Sequence, residues 1–370
     1  MTVPRRLLLG PGPSPVSDRV MRALASPVLS HLDPYLLEVL DTLRARLAAA
    51  FRAGPDALTM AISGTGTSGM EAAVANVTKP GTTATVVVTG YFGDRLGQML
   101  ERYGAQVHRI EVEWGRACDP ARVEQALKER RADIVAVVHA ETSTGVLNPV
   151  DEIARIAGQH GALLIVDAVT SLGGMPVDVA KWGTAVCYSC SQKGLGAPSG
   201  LAPIAFSADA LERRVSCRSF YFDLALLEDY WLRRKYHHTI SAPLILSLNE
   251  ALAIVEEEGL EARHARHYDN HTALAAGLDA LGLHLLPPEG ERLWTLNAVR
   301  VPDGVDEAAV RKQLLQDHGI EIGAGLGPLA GRIWRVGLMG AGSSRANVEL
   351  FLTALGTAVA AARSGAPVRQ

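Results

Sequence analysis

The sequence predicts an α/β fold, with a mainly parallel sheet covered by helices and a smaller α+β domain after it. Three observations lead there. Between Leu58 and Phe206, short apolar runs alternate with segments of helical spacing, the alternation that builds a doubly covered parallel sheet. Past Ser241 the pattern changes to two long helical stretches, then to a mixture of short strands and helices. Two of the apolar runs also end in reactive side chains. Ala162–Val166 leads into Asp167, and Ala185–Cys190 leads into Ser191-Gln192-Lys193. Ligands in open α/β sheets sit beyond the carboxyl ends of the strands, so these two ends offer a carboxylate and an amine to one crevice.

Taken in order, residues 1–15 form an arm marked by Gly10-Pro11-Gly12-Pro13. A large domain over 16–260 opens with helical patterns at Asp18–Ala25 and Tyr35–Phe51. Strands are expected at Thr85–Val88, Gln106–Ile110, Ile134–His139, Leu163–Asp167, Ala185–Cys190 and Pro203–Phe206. Helices are expected at Ser68–Val77, Asp94–Tyr103, Pro120–Arg130, Val150–His160 and Asp209–Val215. Helical patterns at Ala242–Glu258 and Leu260–Leu281 break near Gly259. The small domain, 261–370, adds strands at Thr295–Val301 and Ile333–Val336, a helix at Glu307–His318 and a final helix from Ser344. The tail Ser364–Gln370 is expected to fray.

Composition narrows the function. The chain has 370 residues, 48% of them hydrophobic, and a net charge of -3, which gives no electrostatic case for nucleic acid or an anionic membrane. No apolar run approaches the ~20 residues of a spanning helix. Leu7-Leu8-Leu9 is too short for a signal peptide. A cytoplasmic protein is expected, and four cysteines fit a reducing compartment.

The chemistry starts from Asp167 and Lys193. Pyridoxal phosphate needs a lysine for its Schiff base and an acid for its pyridinium nitrogen. Only Lys79, Lys128, Lys181, Lys193, Lys235 and Lys312 compete for the first role. Ser63-Gly64-Thr65-Gly66-Thr67-Ser68-Gly69 follows an apolar run and opens a helix, a turn that lets backbone N–H groups approach a phosphate. It lacks the Gly-Lys-Ser/Thr of a nucleotide P-loop and a clean G-x-G-x-x-G, and a phosphate monoester suits it better. Tyr91-Phe92-Gly93 places an aromatic at another strand end, for stacking or for the core. Glu141-Thr142-Ser143-Thr144-Gly145 offers hydroxyls after Ile134–His139, for a ring substituent or a helix cap. Tyr236-His237-His238-Thr239, after Arg233-Arg234-Lys235, could close a phosphate site, and its adjacent histidines are expected to face different ways. Arg335 lies in an otherwise apolar strand and needs a partner, either a structural carboxylate or the α-carboxylate of an amino acid; Arg332 is the weaker candidate.

Two patterns are read as structural. His264, His267 and His271 share a helical face at metal-like spacing, but their neighbours suggest a solvated face. Cys187 and Cys190 form a C-x-x-C within an expected strand, where i and i+3 face opposite sides, against redox or metal use.

Together these pieces resemble the class V aminotransferases of the fold type I pyridoxal-phosphate enzymes, closest to the alanine–glyoxylate and serine–pyruvate transaminase group. The resemblance runs over essentially the whole chain. It rests on Leu9–Pro13, Ser63–Gly66, His139–Gly145, Val166–Val169, Ser191–Lys193, Tyr236–Thr239 and Gly325-Leu326-Gly327-Pro328. It implies that Lys193 is the Schiff-base lysine and that Asp167 pairs with the pyridinium. The backbone at Thr65, Gly66 and Thr67 and the Gln192 side chain would hold the phosphate. Phe92 would stack, Thr142 would lie near the ring, and Gly12 and Arg335 would bind substrate, the arm also embracing a partner. Tyr236 and Thr239 would reach a neighbouring subunit's phosphate, which implies a homodimer. The implied reaction moves the amino group of alanine or serine to glyoxylate or pyruvate. Glu111–Gly115 and Tyr221–Trp231 resemble the ureidoglycine–glyoxylate transaminases, but those tend to carry Asn and Gln where this chain has Tyr236 and Leu32. A lyase of cysteine-desulfurase type is a further alternative and would need a reactive thiol, with Cys217 the one to test.

Overall fold

The computed structural model describes residues 3–364. Of the tail expected to fray, Ser364 is the last residue of a helix and 365–370 lie outside the described residues. Helices α1 (Asp18–Leu24) and α2 (Pro34–Phe51) come first, capped by Ser17 on the Val20 N–H and by Asp33 on the Tyr35 N–H. Strand and helix then alternate as β1 (Leu58–Ser63), α3 (Gly66–Val77), β2 (Thr83–Val88), α4 (Tyr91–Arg102), β3 (Gln106–Glu111), α5 (Pro120–Glu129) and β4 (Ile134–Val138). The alternation continues through α6 (Val150–Gln159), β5 (Leu163–Asp167), α7 (Val179–Trp182), β6 (Val186–Tyr188) and β7 (Leu201–Phe206). These strands form one sheet in the order β1-β7-β6-β5-β4-β2-β3. β7 is antiparallel to both neighbours and the other pairs are parallel. The mainly parallel α/β expectation holds. Every residue of β4 and β5 is buried, as strands covered on both faces must be.

The chain continues through α8 (Ala208–Glu212), α9 (Leu224–Arg233), α10 (Ala242–Glu258) and α11 (Leu260–Ala280). Gly259, at φ +78°, breaks α10 from α11. Then come β8 (Leu296–Arg300), α12 (Glu307–His318), β9 (Ile333–Gly337) and α13 (Arg345–Ser364). β9 lies antiparallel between β8 and a short strand, Gly323–Ala324. A second hydrophobic core, with Leu274, Val310, Leu314, Trp334, Phe351 and Leu355, gathers these elements.

The arm belongs to that second core. Leu7 and Leu8 pair in parallel with Ile320 and Glu321, and the Leu9 side chain is fully buried within the core. The Gly337 N–H donates to the Leu9 carbonyl at 2.8 Å. The first residues of the chain are thus sewn to its last third before they reach the sheet.

The face of α11 carrying His264, His267 and His271 is buried, not solvated. His267 Nδ1 bonds the Arg263 carbonyl at 2.7 Å, and His271 Nδ1 bonds Asn297 Oδ1 at 2.6 Å. Burial holds all three imidazoles below their ordinary pKa, His267 at about 3. They are neutral packing groups, and no cluster of metal-ligating side chains occurs among the described residues. Between them Tyr268 and Asp269 are exposed, but Arg266 turns inward to Glu258 and to the Gly340 and Ser343 carbonyls, so the polar neighbours misled the reading. His237 and His238 also differ from expectation. Their Nδ1 atoms lie 2.8 Å apart, so the two rings meet instead of facing away.

Leu9→Ala should destabilise the protein by about 2–5 kcal/mol, the usual cost of emptying a buried leucine site. A lowered thermal midpoint checks this; an unchanged one would mean that the arm is not part of the core.

Candidate active site

The carboxyl ends of β4, β5 and β6, the first turns of α3 and α4, and the arm enclose a cavity of about 240 Å³. Gly12, Thr65, Gly66, Thr67, Phe92, Thr142, Asp167, Gln192 and Lys193 all line it.

Lys193 sits in the loop after β6, and its Nζ donates to the Pro11 carbonyl. The arm grips the same loop by its backbone. The Ser14 N–H donates to the Gln192 carbonyl at 2.9 Å, and Ser14 Oγ donates to the Lys193 carbonyl at 2.8 Å. Gly12 lies directly on the lysine stem. A Cβ there would come within 2.7 Å of Lys193 Cδ and Cε, and the backbone φ of +114° also favours glycine. Burial lowers the Lys193 amine below the ordinary lysine value, and the nearby Arg335 charge adds to the effect.

Asp167 is the last residue of β5. Its Oδ1 accepts from the Val169 N–H at 2.8 Å and its Oδ2 from the Tyr188 hydroxyl at 2.9 Å. Burial still outweighs both donors and pushes its pKa up to about 7. The sequence reading missed Tyr188, although its strand position two residues after Val186 placed it on a definite face of the sheet.

Helix α3 starts at the cavity without a side-chain cap, so its first N–H groups remain directed at whatever fills the space. The Gln192 Oε1 is buried without a hydrogen-bond partner. Thr142 Oγ1 bonds Thr170 Oγ1. The first turn of α4, which carries Phe92, is capped from far away in sequence. The buried Glu141 carboxylate accepts from the Gly93 N–H at 3.1 Å and the Phe92 N–H at 3.4 Å. Ser143 Oγ donates to Glu141 at 2.6 Å and accepts from the Tyr91 N–H at 2.9 Å. Arg95, one turn beyond Phe92, also lines the cavity and was not foreseen. Its i+3 spacing from Phe92 was the available signal.

Arg335 is buried on β9, behind the residues that line the cavity. Its Nε donates to the Ala324 carbonyl at 2.7 Å, and its Nη1 reaches the Thr142 carbonyl at 3.4 Å. Burial lowers its pKa to about 10, and the negative charge of Glu141 opposes this. Tyr236 and Thr239 do not reach this cavity; both are exposed on the loop after α9. Arg332 lies exposed away from it, beside Trp114. Cys190 lies past the end of β6, lines the cavity, and has a thiol pushed up to about 12 by burial. Cys217 does not line it, and burial raises its thiol too. Neither is a ready nucleophile.

The model of the family Aminotransferase class-V matches residues 16–345. The chain is 38% identical to an alanine–glyoxylate aminotransferase of Drosophila melanogaster, over 98% of this chain and 94% of that one. Among solved structures it is similar to an alanine–glyoxylate aminotransferase from Nostoc sp., with TM-score 0.94 and 43% identity over 97% of this chain and 96% of the other. It is also similar to the ureidoglycine–glyoxylate aminotransferase of Bacillus subtilis, with TM-score 0.96 and 37% identity over 99% and 95%. The chain belongs to the class V aminotransferases, and its function is transamination. The family implies pyridoxal phosphate, and the cavity fits that cofactor. An uncapped helix start suits its phosphate, Gln192 lines the same space with its Oε1 buried and unpartnered, and an amine and a carboxylate meet there.

The raised Asp167 pKa gives a pH signature to the cofactor-free protein. A group whose folded pKa is raised contributes stability that is complete below its unfolded value near 4 and is lost as pH rises through its folded value, here about 7. Cofactor-free Asp167→Asn should therefore gain on the wild type between pH 4 and pH 7, and the gap should stay level above that. Parallel thermal melts of the two proteins across this range check it; parallel curves at all pH values would refute the burial argument.

Proposed function

We propose that this aminotransferase takes its amino group from alanine or serine and gives it to glyoxylate or pyruvate, alternating the two half-reactions at one site. The meeting of Asp167 and Lys193 in one cavity, with Arg335 behind it, carries the reading. Pyridoxal phosphate bound there supplies an aldehyde carbon for the amino group and a ring that takes up the electron pair left when Cα loses its proton.

The chain supplies the rest. Lys193, whose amine burial biases toward the neutral form, takes the proton at Nζ and returns it on the other side of the reaction. Asp167 would pair with the ring nitrogen, whose positive charge would restore the carboxylate that burial alone disfavours. The backbone at Thr65, Gly66 and Thr67, where α3 begins, would hold the phosphate together with the Gln192 side chain. Phe92 supplies an aromatic face, and Thr142 lies near the ring. Gly12 leaves room beside the lysine for the substrate, whose carboxylate Arg335 binds with its planar fork.

A homodimer fits the surface. Tyr236 and Thr239 stand exposed on the loop whose His237 ring meets exposed Phe220 and Tyr221, an apolar patch suited to a second copy whose cavity these residues would complete. The same reading divides the chain into an arm (1–15), a cofactor domain (16–260) and a small domain (261–370). No helix among the described residues is long and apolar enough to cross a membrane, and the four unpaired cysteines suit the cytoplasm.

The small-donor reading rests on Leu32 and Tyr236. His31 and Tyr236 pack ring to ring with centroids 5.2 Å apart, so positions 31, 32 and 236 lie together. Leu32 and an aromatic ring there offer less to a ureido group than two amide side chains would.

Enzyme given L-alanine or L-serine without an acceptor should release about one equivalent of the oxo acid, and later glyoxylate should yield glycine. A stoichiometric yield from ureidoglycine alone would move the donor assignment; ammonia released from serine, with pyruvate accumulating beyond one equivalent, would move the class to a lyase. Arg335→Ala should raise KM for amino and oxo acids alike by about tenfold or more, because the carboxylate grip acts on both. Unchanged KM values in steady-state assays would return Arg335 to a structural role.

A further inference from the structure

Resting on the cofactor assignment above, we propose that Arg95 is the cation that neutralises the cofactor's phosphate. Its guanidinium carbon lies 5.0 Å from the centre of the Tyr91 ring and 5.1 Å from that of Phe92. Its Nη1 donates to Thr67 Oγ1 at 3.3 Å. Arg95, Phe92 and Thr67 all line the cavity, so this one side chain joins the aromatic face to the open start of α3.

The charge balance points the same way. A phosphate monoester carries about -1.5 to -2 charges at neutral pH. A helix N-terminus offers only about half a positive charge. Lys193 is committed elsewhere, with its Nζ on the Pro11 carbonyl. Arg95 forms no ion pair among the described residues. The carboxylate next to it, Asp94, is instead turned to Arg109 at 3.4 Å and to Gln98 at 2.6 Å. A cation without a carboxylate, held over two rings at the edge of the cavity, is placed for an anionic ligand. Its planar fork matches phosphate oxygens as a lysine ammonium would not.

The role differs from stacking. Phe92 meets the cofactor ring whatever its substituents, whereas Arg95 responds only to the phosphate. Cofactor-free wild type, Arg95→Gln and Arg95→Lys are titrated with pyridoxal phosphate and, separately, with unphosphorylated pyridoxal, followed by absorbance and protein fluorescence. The Gln variant should bind pyridoxal phosphate about 10- to 100-fold more weakly, with pyridoxal affinity within about twofold of wild type. The Lys variant should fall between. Added inorganic phosphate should compete with pyridoxal phosphate less effectively in the Gln variant than in the wild type. Wild-type affinity for pyridoxal phosphate in Arg95→Gln would overturn the inference and leave the aminotransferase assignment standing. An equal loss for both ligands would overturn it too, by moving Arg95 to the ring. Failure of the wild type itself to bind pyridoxal phosphate would remove the cofactor reading on which the inference rests.

Discussion

The structure turns on how one amine is confined. Lys193 is flanked by the arm on one side and by the loop after β6 on the other, and neither holds its place alone. Gly12 can lie on the lysine stem only because Leu7 and Leu8 are already paired with Ile320 and Glu321 and Leu9 is buried in the second core. The loop is fixed from behind by Arg263, which donates to the Gly173 carbonyl at 2.7 Å and the Gly194 carbonyl at 2.8 Å. Arg263 is itself buried and is matched by Glu258. Glu258 also holds Arg266, which reaches the carbonyls of Gly340 and Ser343. The root of α11 therefore clamps the lysine loop to both cores, which explains why this helix buries its charged and imidazole face. A buried guanidinium needs its full set of acceptors, and here loop carbonyls provide them.

Confinement also sets the electrostatics. Lys193, Asp167, Glu141 and Arg335 lie close enough to shift one another, and in each case burial is the first cause of the shift. Burial disfavours the charged form of all four, so the amine tends to neutral and the carboxyls tend to hold a proton. This arrangement suits a site that is completed by charged ligands. A cationic ring nitrogen would restore the Asp167 carboxylate, and a substrate carboxylate would balance Arg335. The protein alone leaves both groups under-compensated, and the ligands supply the difference.

Much of this was legible in the sequence. Leu163–Asp167 is apolar up to its carboxylate and occupies β5 as expected, and Ala242–Glu258 and Glu307–His318 match α10 and α12 end to end. Asp167, Lys193 and the glycine-rich turn were visible because strand-end chemistry follows from a local pattern. What escaped notice was of two kinds. Helix α9 was unread, although Asp223 caps it and Leu224, Leu227, Tyr230 and Trp231 mark its buried face. That signal was local and available. The pairing of Leu7–Leu8 with Ile320–Glu321, the burial of the α11 histidines and the capping of α4 by Glu141 depend on residues far apart in the chain. No window of sequence contains them.

Glu141 shows why such distant contacts gather at the site. It follows β4 in the stretch His139–Gly145, where nearly every residue is committed. His139 Nδ1 bonds Ser171 Oγ at 3.0 Å, and its ring meets Trp182 edge to face. Thr144 Oγ1 donates to the Thr89 carbonyl at 3.2 Å. The Thr142 carbonyl receives Arg335 from the small sheet. Gly145 has φ +76° and lies so near β8 that a Cβ would come within 3.0 Å of Ala298. This segment is where the large sheet, helix α4 and the small sheet touch. A carboxylate at that joint can cap the helix that carries Phe92 and Arg95 while it balances the arginine behind the lysine. An amide there would have one oxygen for groups that now use two, so either the Phe92 N–H or the Gly93 N–H would face an amide NH2 instead of an acceptor. Both oxygens of Glu141 are therefore engaged where the aromatic face of the cavity meets the small sheet.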